Sequence, residues 1–157
     1  DQLNESIKNV GEFIDLDKLI EAKAGMSIPD YFQKFGEDNF RIFERDTLQN
    51  SDYSDKTVIS TGGGAPCYFN NIEWMNDNGT AVYMSLSPQV LANRLENAKT
   101  ERPLIKGLKG EDLVSFIAQK LSEREIFYKK AKLIVSATDL TAEKFAEYIT
   151  LAPPPIS

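Results

Sequence analysis

Short β-rich runs alternating with helix-period stretches predict an α/β layer architecture with a mainly parallel sheet for this 157-residue chain. Runs of apolar and β-branched residues fall near 12–14, 57–61, 80–86 and 133–135, with helical patterns between them. The run Val58-Ile59-Ser60 ends, after Thr61, in Gly62, Gly63 and Gly64, as a buried strand does when it feeds a tight loop. Apolar residues at 41% and charged residues at 27% match an ordinary globular domain, and the length is enough to bury a real core.

Composition closes several functional classes. No apolar run reaches the roughly 18 residues of a spanning helix, and Asp1–Val10 lacks the apolar core of a signal peptide. A single cysteine, Cys67, forms no internal disulfide, which together with the missing leader points to the cytoplasm. A net charge of −6 argues against a broad nucleic-acid face, yet leaves room for a small anion held by a few arginines. The absence of histidine removes imidazole bases, Ser-His triads and His-based metal sites. Proton transfer would fall to a carboxylate.

Taken in order, Gln2–Lys8 reads as a short polar helix and Glu12–Ile14 as a strand. Asp15-Leu16-Asp17 follows at its carboxyl end, where open α/β sheets collect ligands. Two aspartates two apart point to one side of an extended chain. An aspartate ahead of Lys18-Leu19-Ile20 equally suits a helix N-cap, so the two residues can divide the roles. Ser27-Ile28-Pro29 is an N-cap followed by an early proline, opening a helix with Tyr31, Phe32 and Phe35. Gly36 breaks it, and Glu37–Gln49 begins another with Phe40, Phe43 and Leu48 as its apolar positions. Arg41 and Glu44 share a face of that helix; as a surface ion pair they would contribute only about 0.2–0.5 kcal/mol.

Asn50–Lys56 is a polar loop into the glycine-terminated strand, and Asn70–Asn78 is a short helix ended by Gly79. Thr80–Leu86 reads as a strand, with Ser87-Pro88 capping the helix Gln89–Ala98. Thr100–Gly110 (TERPLIKGLKG) is a charged, glycine-containing loop expected to be mobile. Glu111–Lys130 is a long amphipathic helix with Leu113, Phe116, Ile117, Leu121, Ile126 and Phe127 as core positions and Arg124 near its last turns. A strand at Leu133–Val135, a helix at Thr141–Ile149 and the extended tail LAPPPIS complete the chain.

With these pieces placed, the chain resembles the shikimate kinase family over nearly all of Phe13–Ile149. The resemblance rests on FIDLD (Phe13–Asp17), FRIFE (Phe40–Glu44), STGGGAP (Ser60–Pro66), RPLI (Arg102–Ile105) and R-x-x-x-Y (Arg124–Tyr128). Each motif alone is modest; all five in the family's order and at near-family spacing are specific. The resemblance implies a three-layer α/β/α fold of the P-loop nucleoside-monophosphate-kinase type. It implies one domain over residues 1–151, a lid at about 99–111 and a Pro-rich tail at 152–157. The implied reaction moves the γ-phosphate of ATP, with Mg²⁺, to the 3-hydroxyl of shikimate, a step of chorismate and aromatic amino acid biosynthesis. A cytoplasmic monomer is implied, with no nucleic-acid or membrane partner.

Roles follow motif by motif. Asp17 would hydrogen-bond the accepting hydroxyl and is the candidate base, and Arg41 and Arg124 would clamp the substrate carboxylate. Gly62, Gly63 and Gly64 would present backbone groups to the ring hydroxyls, and Asp15 would hold Mg²⁺ through water. Arg102 would reach the phosphates from the lid, Arg94 would belong to the nucleotide side, and Glu44 would orient Arg41. Elementary chemistry agrees. The guanidinium fork matches a carboxylate bidentately, phosphoryl transfer asks for positioning and charge neutralisation more than covalent chemistry, and a closing lid excludes competing water.

One departure stands out. The family begins with a strand and a G-x-x-x-x-G-K-[ST] loop that holds the ATP phosphates; the sequence contains neither, and Asp1–Asn9 corresponds to the end of the helix after that loop. Asp55-Lys56-Thr57 lacks the glycines and precedes a strand. The absent strand is the central one of five, so two neighbours would face a gap. Each unpaired buried group there would cost roughly 1–3 kcal/mol, against a total stability of about 5–15 kcal/mol. Three readings follow: a shortened form of a longer kinase, a relative that keeps the shikimate pocket without ATP binding, or a rearranged fold that fills the gap. A structural or interaction role through exposed sheet edges is the non-enzymatic counterpart.

Overall fold

The structure, a computed structural model, describes residues 11–97 and 107–138. These fall into two compact units, residues 11–81 in the first and 82–97 with 107–138 in the second.

In the first unit, β1 (Glu12–Asp15) pairs in parallel with β2 (Thr57–Ser60), Glu12 opposite Thr57 and Asp15 opposite Ser60. Parallel pairing needs a crossover, supplied by helices α1 (Leu16–Ala24) and α2 (Ile28–Asn50). Asp15 caps α1: its Oδ1 accepts from the Asp17 N–H at 3.0 Å, so capping falls to Asp15 and Asp17 sits in the first turn. Ser27 caps α2 as the sequence predicts, its hydroxyl accepting from the Asp30 N–H at 3.2 Å.

Gly36, at φ 80° and ψ 171°, interrupts α2 where a break is expected, in a conformation that a side chain would strain. The kink folds the first segment onto the second. Tyr31 lies 6.0 Å from Phe40 and 5.2 Å from Phe43 between ring centroids, and Phe32 lies 4.6 Å from Phe40. Leu16, Ile20, Phe40, Leu48 and Ala65 are buried together, with Tyr31, Phe32 and Phe43 packed against them. Burying each large apolar side chain is worth about 1.5–3 kcal/mol, so this cluster holds α1 and α2 to the chain that follows β2.

After β2 the chain passes through Gly62–Gly64 into a single 3₁₀ turn, Ala65–Cys67, and then α3 (Asn71–Asn78). Asn71 is fully buried; its Nδ2 donates to the Ala65 carbonyl at 2.9 Å and its Oδ1 accepts from Gln49 Nε2 at 2.9 Å. One amide thereby fastens the turn after the glycines to the end of α2.

In the second unit, β3 (Val82–Ser85) pairs in parallel with β4 (Leu133–Ser136), and α4 (Pro88–Glu96) and α5 (Gly110–Tyr128) lie between them in sequence. Ser87 caps α4, accepting from the Val90 N–H at 3.3 Å. Ala92, Leu113 and Ile117 form the buried seam between α4 and α5. Two details differ from expectation. β3 is shorter than the apolar run Thr80–Leu86, because β4 offers partners only for Val82 through Ser85. Ile126, expected in the core, is 66% exposed. At about 100° per residue it sits roughly 220° around the helix from Leu113, opposite the buried stripe.

Among the described residues the strand pairing is parallel, as predicted, in two two-stranded sheets. Among the described residues no ladder joins one pair to the other. The predicted helices at Gln2–Lys8 and Thr141–Ile149, Arg102 with the start of its loop, and the Pro-rich tail lie outside the described residues.

Candidate active site

Because β1 and β2 run parallel and in register, both discharge their chains at the same edge. The first turn of α1, carrying Asp17, therefore lies beside the loop that follows β2. An ideal Cβ on Gly62 would stand 3.8 Å from Asp17 Oδ2. A Cβ on Gly64 would stand 2.5 Å from Arg41 Nη1, 3.0 Å from Nη2 and 3.1 Å from Cζ. Real side chains do not approach so closely, so a side chain at position 64 would require the Arg41 guanidinium to shift. Asp17, Gly62, Gly64 and Arg41 thus form one cluster at the carboxyl ends of the strand pair, the place where α/β sheets bind ligands. Asp17 is exposed to solvent.

Arg41 is not a surface ion-pair residue. Its side chain is 13% exposed, and its Nη1 donates to Glu44 Oε1 at 2.9 Å. Glu44 is buried at 3% exposure, so the pair is desolvated and fixed. Removing one partner of such a pair costs about 3–5 kcal/mol, because the other charge is left buried alone. Nε of Arg41 is buried with no hydrogen-bond partner; Glu37 Oε1 lies 3.8 Å from it. The Tyr68 ring centroid lies 4.1 Å from Arg41 Cζ, and Tyr68 Oη donates to Glu37 Oε1 at 3.2 Å. Sequence reasoning missed both Glu37 and Tyr68. The i, i+4 spacing of Glu37 and Arg41 was a readable signal, whereas Tyr68 reaches Arg41 only through the tertiary fold. The middle glycine is engaged as well: the Gly63 carbonyl accepts from Cys67 Sγ at 3.7 Å.

Asp15 uses one carboxylate oxygen on the α1 cap. Among the described residues no group of three His, Cys, Asp or Glu side chains converges to hold a metal. A single carboxylate of this kind suits a hydrated ion met through its waters rather than a closed cage of protein ligands.

In the second unit, Arg94 is exposed on the last turn of α4 and Arg124 is half-buried on α5. A cavity of about 470 Å³ opens at the carboxyl ends of β3 and β4, lined by Ser85, Ser87, Ser136 and Thr138 and by Leu121, Ser122 and Glu125 of α5. No motif in the sequence announced it. Arg102 lies outside the described residues. Away from both places, burial pushes the Tyr53 phenol above its ordinary value, with a hydrogen bond to Ser51 opposing the shift. The Tyr53 hydroxyl donates to the Leu48 carbonyl at 2.7 Å. No described helix is long and apolar enough to cross a membrane.

The sequence model of the shikimate kinase family matches residues 8–152. A shikimate kinase of Parabacteroides distasonis is 44% identical over 131 residues, covering 83% of this chain and 76% of its own. The crystal structure of shikimate kinase from Bacteroides thetaiotaomicron superposes with a TM-score of 0.84 at 36% identity, covering 95% of this chain and 90% of its own. Shikimate kinase from Acinetobacter baumannii in complex with shikimate superposes with a TM-score of 0.76 at 28% identity, covering 94% and 82%. The match spans both units and takes in the Asp17, Arg41 and triple-glycine cluster: this chain belongs to the shikimate kinase family.

Proposed function

We propose that the chain is a shikimate kinase and that the cluster at the end of β1 and β2 is its acceptor site. One observation carries the assignment of the site: a guanidinium fixed by a buried carboxylate stands in the same cluster as an exposed aspartate, Arg41 with Glu44 beside Asp17. The fixed fork suits the substrate carboxylate, and the aspartate suits the hydroxyl that attacks.

In this reading the 3-hydroxyl oxygen of shikimate forms a bond to the γ-phosphorus of ATP. The bond to the bridging oxygen breaks, ADP departs, and the hydroxyl proton passes to Asp17. Gly62, Gly63 and Gly64 line the ring hydroxyls with backbone groups, and Arg124 supports the carboxylate. Arg94 and Arg102 serve the nucleotide, with Arg102 brought from a lid at about 99–111. Mg²⁺ neutralises phosphate charge when bound, with Asp15 touching it through water. The reading takes residues 1–151 as a single catalytic domain and 152–157 as a tail, working as a monomer in the cytoplasm.

The test is incubation of the full-length gene product with ATP, Mg²⁺ and shikimate, following ADP by a coupled assay and the product by phosphorus NMR. Equimolar ADP and shikimate 3-phosphate are expected. A folded protein that forms neither would overturn the reading. Shikimate binding without turnover would replace it with that of a binder lacking phosphoryl transfer.

A further inference from the structure

We infer that Tyr68 and Glu37 are positioning residues that hold the Arg41 guanidinium in the orientation for carboxylate recognition, an inference that rests on the acceptor-site reading above. Arg41 has five N–H donors in a rigid plane, and bidentate recognition works only if that plane is set in advance. Glu44 fixes one corner, Nη1, at 2.9 Å. A single contact leaves the plane free to swing about it.

The Tyr68 ring supplies the second constraint, its centroid 4.1 Å from Cζ. An arginine over an aromatic face is held by the ring's negative face, most strongly where the pair is desolvated, and Arg41 is largely buried. Glu37 supplies the third. Its Oε1 accepts from Tyr68 Oη at 3.2 Å and stands 3.8 Å from the otherwise unpartnered Nε, so one carboxylate steadies both the ring and the guanidinium.

The backbone beyond Tyr68 bears the mark of this arrangement. Phe69 has φ 51°, uncommon for an aromatic residue, and its ring is 52% exposed, so burial does not account for the conformation. What the turn achieves is a second stack: the Phe69 ring centroid lies 4.6 Å from Cζ of Arg45, one helical turn beyond Arg41. Successive residues of an extended chain point to opposite sides; the left-handed turn lets two consecutive rings grip two arginines on one helix. Strain of this kind is retained where the surroundings demand it.

The experiment is calorimetric titration of the chain and its Y68A, Y68F and E37Q variants with shikimate and, separately, with shikimate methyl ester, which lacks the charged carboxylate. Y68A is expected to weaken shikimate binding about tenfold, equivalent to 1.4 kcal/mol, while moving ester binding less than about twofold. Y68F keeps the ring and is expected within about threefold of the unaltered chain, whereas E37Q, which gives up the carboxylate beside Nε, is expected to weaken shikimate binding about fivefold and ester binding less than about twofold. Unchanged shikimate affinity in Y68A would overturn the inference, and so would equal losses for shikimate and ester, since those report only a disturbed fold. Glu37 is 57% exposed, so E37Q carries the same comparison where Y68A fails to fold; no loss in E37Q for shikimate would then overturn it. An unaltered chain that binds no shikimate would overturn the kinase reading, and this inference with it. Shikimate binding by the unaltered chain with no effect of these variants overturns the inference alone.

Discussion

The two units share a construction, a parallel strand pair with two helices between the strands, and use it in opposite ways. In the first, the candidate binding residue is also a structural one. Arg41 is largely buried, paired with buried Glu44, stacked on Tyr68 and pressed against Gly64. In the second, Arg94 projects from the surface of α4 and the strand ends open on a hydroxyl-lined cavity. A planar carboxylate rewards a fork set in advance, because the orientation is settled during folding rather than at binding. On the proposed site, the first unit would couple stability to recognition, and Arg94 in the second would leave the two separable.

The largest effect on turnover is expected at Asp17. Asp17 is exposed, so Asp17→Asn should leave the melting temperature nearly unchanged while lowering turnover by about 10²–10⁴-fold, the usual contribution of a positioned base. Steady-state kinetics beside a thermal melt checks this. Turnover within threefold of the unaltered chain would remove Asp17 from the chemistry.

Next comes the coupling itself. Arg41→Ala should lower stability by about 3–5 kcal/mol, because it removes the guanidinium paired with the buried Glu44 carboxylate, and should weaken shikimate binding. Arg94→Ala, at an exposed position, should change stability by no more than about 0.5 kcal/mol and should weaken ATP in preference to shikimate. Denaturant titrations and separate KM values for the two substrates decide it. Equal stability losses would erase the contrast between the units.

Gly64→Ala sharpens the same point with a single methyl group. Its carbon would fall 2.5 Å from Nη1, so the guanidinium must shift. Shikimate affinity should drop about tenfold with a smaller loss of stability, since a displaced fork costs recognition first. Unchanged affinity would mean that Arg41 has slack in its seat.

The fold was legible where local chemistry decides. Ser27, Ser87 and the break at Gly36 stand where their residue types predict, and all four strands fall on their apolar runs, β1 and β4 each running one residue past the run's end. The site was legible as a set of motifs but not as a structure. Nothing local says that the Arg41–Glu44 pair is buried, because burial comes from the loop after β2 folding onto α2. That loop is fastened by Asn71 and Gln49, two amides with no motif between them. Tyr68 was invisible for the same reason. Of the two aspartates, only the observed cap hydrogen bond tells which one holds the helix and which one faces the site.

The smallest expected effect lies away from the site. Burial raises the Tyr53 phenol above its ordinary value, so the folded state holds that proton more tightly than the unfolded chain. Its stabilising contribution is present below the unfolded pKa of about 10 and is lost as pH rises through the raised folded value. Alkaline unfolding should therefore begin near pH 10 and be blunted in Tyr53→Phe. Identical pH–stability curves would contradict the shift.

The most direct measurement is a crystal structure of this chain with shikimate bound. The account predicts a carboxylate oxygen within about 3 Å of the Arg41 guanidinium and the 3-hydroxyl within about 3 Å of an Asp17 carboxylate oxygen, both ordinary hydrogen-bond distances. Shikimate seated instead in the cavity at the ends of β3 and β4, or bound with its carboxylate turned away from Arg41, would contradict it.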